Sequence, residues 1–86
     1  MKTPEWLKAN RFGNMLKLRR MELNITLRQF ALKHKQNAGN LSKIERGVSL
    51  PRYQNLNWFL ARYDLRRGPM IEAYLADLAD KINEVL

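Results

Sequence analysis

The sequence predicts an all-α fold, a compact bundle of five helices, and three observations carry that expectation. Apolar residues recur at steps of three and four in nearly every segment, whereas strand-like alternation is weak. Good helix caps, Thr26 and Asn37, stand just ahead of two of those segments. Gly47, Pro51 and the Gly68-Pro69 pair supply breaks between the others. A chain of 86 residues makes one small domain. Such a domain buries roughly 60 to 65% of its unfolded surface around a single core.

The first helix is expected to open at "TPEW", with Thr3 as cap, Pro4 at the first helical position and Glu5 at the positive end of the macrodipole. Phe12, Leu16 and Leu23 fall on its buried stripe, and it should end near Leu23 and Asn24. A second helix follows Thr26 and buries Leu27, Phe30 and Ala31. The third starts after Asn37, runs through "AGNLSKIER" and stops at Gly47, which suits a left-handed terminal position. These two short helices, separated by about four residues, have the spacing of a helix-turn-helix. Beyond Pro51, the residues Tyr53, Leu56, Phe59, Leu60 and Tyr63 give a fourth helix an inward stripe. Gly68 and Pro69 mark a break, and a fifth helix takes the remainder, so residues 1–68 and 69–86 are expected as a body and a C-terminal amphipathic helix.

Charge divides the chain along the same line. The net charge is +8 and the isoelectric point near 10.3. Residues 1–68 carry 15 basic and 4 acidic side chains, whereas 69–86 carry 1 and 4. A cationic body favours a polyanionic partner, because each neutralised phosphate releases condensed counterions. Without cysteine there is neither a disulfide framework nor a thiolate metal site, and a reducing cytoplasm is the expected setting. No apolar run resembles a signal peptide or a membrane span. Paired carboxylates beside a base and a glycine-rich phosphate loop are both missing, so the expectation is no enzyme and no cofactor. His34 is the lone histidine and makes no metal site; it is expected at the edge of the core. Trp6 and Trp58 are expected as packing anchors rather than stacking platforms.

Glu45 is the informative residue. At 100° per residue, Leu41, Ile44 and Glu45 share one face of the third helix, while Gly39, Asn40, Lys43 and Arg46 occupy the other. An inward carboxylate needs a cationic partner, and stripping the partner from a buried pair costs about 3 to 5 kcal/mol. Arg19 and Arg20 of the first helix are both in reach. Arg20 is the expected partner, through a bidentate fork that lysine cannot supply.

From "FGNMLKLRR" through "ITLRQFA" to "LSKIERG" and the proline four residues on, the chain resembles the phage-repressor, Cro and XRE class of helix-turn-helix DNA-binding regulators. The resemblance runs from Phe12 to about Leu65, and in that class the matching arginine and glutamate form a buried ion pair. Three positions depart from the pattern. Leu18 and Arg19 stand in swapped order, which leaves both Arg19 and Arg20 open as the partner of Glu45; Lys35 occupies the usual turn glycine, and Leu27 replaces a polar residue at the start of the second helix. A left-handed lysine at position 35 would cost about 1 to 2 kcal/mol; the alternative is a turn of different shape.

The resemblance implies double-stranded DNA as partner, with the third helix in the major groove. Ala38, Gly39, Asn40 and Lys43 would meet base edges: Lys43 suits guanine O6 and N7, Asn40 suits adenine, and Ala38 a thymine methyl. Gly39 costs about 1 kcal/mol of helix stability, which either closer approach to the duplex or an undemanding first turn would explain. Phosphate contacts are expected from Arg28, Asn37, Ser42, Arg46 and Arg52.

In the last helix Ile71, Leu75, Leu78, Ile82 and Val85 form a heptad seam. Two heptads do not hold a free coiled coil, so the seam packs on its own domain or on a second copy; a homodimer is expected, reading a near-palindromic operator as a repressor. No effector pocket is evident. The alternative function is protein interaction on the same fold, as an antitoxin neutralising a toxin or as a phage factor binding a host protein.

Overall fold

The computed structural model describes residues 10–85, and their regular structure is helical throughout. Helix α1 spans Arg11–Glu22, α2 Leu27–Lys33, α3 Ala38–Glu45, α4 Leu56–Arg62 and α5 Arg67–Val85, with a 3-10 turn, Tyr53–Asn55, leading into α4. The helix that carries Phe12 and Leu16 starts at Arg11 rather than at Thr3. Asn10 sits ahead of it at φ −143°, outside the helical region, and donates from Nδ2 to the Glu45 carbonyl at 2.9 Å. Thr3, Pro4, Glu5 and Trp6 lie outside the described residues.

Local sequence chemistry sets the next two starts. Thr26 accepts a hydrogen bond from the Gln29 amide while Gln29 reaches back to the Thr26 amide, a complete capping box. Asn37 accepts from the Asn40 amide at 3.0 Å and so caps α3.

The first four helices all end in one way. Asn24, Lys35, Gly47 and Asp64 are left-handed, at φ 59°, 54°, 78° and 53°. After each, an amide reaches back five residues: Ile25 to Arg20, Gln36 to Ala31, Val48 to Lys43 and Leu65 to Leu60, at 2.8 to 3.4 Å. This 6→1 bond is the Schellman closure, which satisfies carbonyls that a helix end otherwise leaves free. Lys35 therefore adopts the left-handed conformation expected of a glycine. The break before α5 likewise falls at Asp64 to Arg66 instead of at Gly68-Pro69. Pro69 lies within the first turn of α5, where its missing N–H costs nothing.

Phe12, Leu16, Phe30, Leu41, Phe59, Tyr63, Met70 and Tyr74 form the centre of the core. The Phe12 ring meets those of Phe59 and Tyr74 edge-on at 5.8 and 5.7 Å. Two residues expected inside lie outside. Leu23 sits at the end of α1, where the chain turns into its left-handed cap, and remains exposed. Tyr53 is exposed because the α-helical phase that turns Leu56, Phe59 and Tyr63 inward begins only at Leu56. Gly13 permits α1 to lie directly against the end of α3: a Cβ there would overlap Asn10 Oδ1 and the carbonyls of Ile44 and Glu45.

Helix α5 docks by a stripe one position away from the expected seam. Met70, Tyr74 and Asp77 face inward, Ile71 and Leu78 are half-buried, and Leu75 and Ile82 stay 55% and 49% exposed. The Val85 side chain lies outside the described part. Asp77 is 2% exposed, and its carboxylate accepts from the backbone amides of Arg11 at 3.1 Å and Phe12 at 2.8 Å. It therefore caps the start of α1 from the far end of the chain. The Arg11 guanidinium adds contacts to Asp80 at 2.9 Å and Asp77 at 3.4 Å. The Tyr74 hydroxyl donates to the Pro51 carbonyl at 2.8 Å, which sets α5 beside the loop that follows α3.

Candidate functional site

Helix α3 has one face locked and one face free. On the locked face the Glu45 carboxylate is 3% exposed and receives three side-chain donors. Arg20 Nη2 donates to Oε1 at 2.9 Å, Arg20 Nε to Oε2 at 3.0 Å and the Tyr63 hydroxyl to Oε2 at 3.0 Å. The remaining guanidinium nitrogen donates to the Ile25 carbonyl at 2.9 Å, so α1, the α1–α2 turn, α3 and α4 meet at one charge. Arg20, not Arg19, is thus the partner of Glu45. Arg19 instead spans the end of α4, donating to the Tyr63 carbonyl at 3.2 Å and to Asp64 at 2.9 Å, and pairs with Glu22 on its own helix.

Protonation states follow from these contacts. The hydrogen bonds to Glu45 raise the pKa of Arg20 against the opposing cost of burial. Burial, then the negative charge of Glu45, then the hydrogen bond to it push the Tyr63 phenol far above its ordinary value, and burial also raises Tyr74. A folded-state pKa above the unfolded one contributes stability that is fully present below the unfolded value and is lost as pH rises past it. Thermal midpoints should therefore fall from about pH 10 upward. Tyr63→Phe should flatten that fall without abolishing it, since Tyr74 remains. An identical slope in the variant would show that Tyr63 is not the titrating group.

On the free face Gly39, Asn40, Lys43 and Arg46 are exposed. Ala38 and Ser42 are half-buried, and Ala38 packs against the core. Ser42 and Arg46 engage each other, Nε donating to Oγ at 3.1 Å. Asn37 is committed to its cap, which leaves its amide group partly free for a ligand. A Cβ on residue 39 would come 3.0 Å from the Asn37 cap oxygen, which gives Gly39 a local reason the sequence did not reveal. Arg28 is exposed in the first turn of α2, and Arg52 is exposed just before the 3-10 turn.

Between α3 and the start of α4 runs a groove that Asn40, Lys43 and Arg52 share with Gln36, Ser49 and Asn55, with Trp58 contributing to its wall. Gln36, Ser49 and Asn55 are additions to the expected site. Each belongs to a short connecting segment, so no helical spacing marks it. Beside apolar Leu41, Ile44, Leu50 and Phe59, the polar side chains of the groove supply amides, a hydroxyl and two cations: hydrogen-bond donors suited to an anion or to the edge of a planar polar group. Among the described residues no three histidine, aspartate or glutamate side chains stand close enough to hold a metal ion, and no helix is long and apolar enough to cross a membrane.

Compared with known families, curated proteins and solved structures, the chain has no match: no family model, no curated sequence and no solved structure is significantly similar to it.

Proposed function

We propose that the protein is a sequence-specific double-stranded DNA-binding regulator of the phage-repressor, Cro and XRE helix-turn-helix type, acting in the cytoplasm as a repressor that occupies its operator. The observation that carries this reading is the division of α3 into a face anchored by Glu45 and an opposite face with Gly39, Asn40 and Lys43 exposed. A helix so held keeps its polar face fixed, as insertion into a major groove requires. Lys43 and Asn40 read base edges there. Arg28, Arg46 and Arg52, with the Asn37 cap and Ser42, contact phosphates, and the net charge of +8 favours association. Gln36 and Asn55 extend the contact surface along the groove.

Selecting bound fragments from a random duplex library at near-physiological salt tests the proposal. Enrichment of a defined site is expected. Lys43→Ala and Asn40→Ala should then each weaken binding to it by about 5- to 150-fold, the equivalent of 1 to 3 kcal/mol per lost base contact. Random duplex should be affected far less. Absence of enrichment, or equal losses on site and random DNA, would move the function to protein interaction on the same scaffold, the antitoxin or host-factor reading.

The exposed Leu75 and Ile82 support a homodimer through the outer side of α5. A two-fold dimer of this kind would call for half-sites one or more helical turns apart, roughly 34 to 36 Å per turn. Leu75→Glu with Ile82→Glu should convert a dimer to a monomer in sedimentation equilibrium while leaving the helical spectrum intact, since both residues face outward. A wild-type protein that sediments as a monomer at all concentrations excludes this interface.

A further inference from the structure

We infer that the cleft between the end of α2 and the end of α4 is a second binding site, one for a phosphate group, separate from the groove beside α3. Its walls carry Lys33 and Lys35 on one side and Arg62 on the other, with His34 between them, and no acidic side chain lines it. Three cations thus line one concave surface. Lys33 and Arg62 stand in the last turns of α2 and α4, where a cation also meets the negative end of its helix, whereas Lys35 lies beyond α2. Around the cleft the Leu32, Phe30 and Ala31 carbonyls are already occupied by the amides of Lys35, His34 and Gln36, and the Phe59 and Leu60 carbonyls by those of Tyr63 and Leu65.

The Arg62 guanidinium lies over the Trp58 ring at 5.8 Å, a contact that orients it ahead of any ligand. Lys35 holds φ at +54°, as Asn24 and Asp64 do at the ends of α1 and α4, so a glycine there would relieve backbone strain. The imidazole of His34 lies tilted against the Phe30 ring at 4.3 Å and meets the Trp58 ring edge-on at 6.2 Å. Burial first, and then the like charges of Lys33 and Arg62, hold its pKa below the ordinary value.

A guanidinium and two ammonium groups recognise phosphate oxygens, whether these belong to a free phosphorylated molecule or to a DNA backbone. Trp58 borders the groove beside α3 and also touches Arg62 and His34, so its emission reports on the cleft. In a Trp6→Phe background, sodium pyrophosphate is titrated at constant ionic strength against Trp58 fluorescence, and a random duplex is titrated in parallel. Arg62→Ala and Lys35→Gly are the variants. Each should weaken phosphate binding about tenfold, the loss of one charge-assisted contact. Lys35→Gly should do so with a raised thermal midpoint, which separates loss of binding from loss of fold. Saturable pyrophosphate binding that weakens in both variants assigns the cleft to a free phosphorylated ligand. Pyrophosphate without effect, together with a duplex whose affinity falls in both variants, assigns it to a backbone phosphate. Unchanged affinity for both probes in both variants overturns the inference. The α3 groove is tested separately, because Lys43→Ala leaves all of these cleft residues in place.

Discussion

Arg20→Met should lower the stability of the protein by about 3 to 5 kcal/mol, read as a shift of the urea midpoint at neutral pH. The loss is large because the methionine leaves Glu45 in place, 3% exposed, with the Tyr63 hydroxyl as its remaining side-chain donor. Arg20→Lys should recover only part of it. A lysine ammonium can meet one carboxylate oxygen but cannot reproduce the fork on Glu45 and the bond to the Ile25 carbonyl together. Removing both charges, as Arg20→Met with Glu45→Leu, should be milder than the single change, since no unpaired charge is then buried. A single variant that loses less than about 1 kcal/mol would mean that water reaches the carboxylate and that the ion pair does not fix α3.

Asp77→Ala is expected to cost about 2 to 4 kcal/mol, because it strips the acceptor from two backbone amides at a buried helix start. Asp77→Asn keeps one carbonyl oxygen in position and should lose about half as much. By contrast, Asp80→Ala removes a half-exposed partner of Arg11 and should cost less than about 1 kcal/mol. Hydrogen exchange localises the effect: the amides of Arg11 and Phe12 should exchange faster in Asp77→Ala than in the parent. If both remain equally protected, the cap on α1 has another source.

These two anchors differ in how far the sequence announced them. Glu45 is legible because its neighbours Leu41 and Ile44 define a face by local spacing, and a carboxylate on that face demands a cation within reach. Thr26, Asn37 and Gly47 are legible for the same reason: each acts on amides or carbonyls within a few residues. Asp77 is not. It lies 65 residues from the amide it caps, among alanines and leucines that supply two apolar stripes about 100° apart on α5. Periodicity weighs Ile71, Leu75 and Leu78 above Met70 and Tyr74, and only the position of α1 selects the second stripe. Gly13 went unread because its significance depends on the Ile44 and Glu45 carbonyls across the helix pair. The same limit applies to the candidate sites: residues exposed on α3 follow from the position of Glu45, whereas Gln36 and Asn55, or Lys35 and Arg62, become neighbours only once separate segments are packed together.

The reach of Asp77 back to Arg11 also bears on how the protein is made. During synthesis the segment that becomes α1 leaves the ribosome long before residue 77 exists, so its first amides must wait in water or find other acceptors. Closing a loop of that length is the slow kind of step in folding. A product truncated ahead of residue 77 would leave the first amides of α1 without that acceptor.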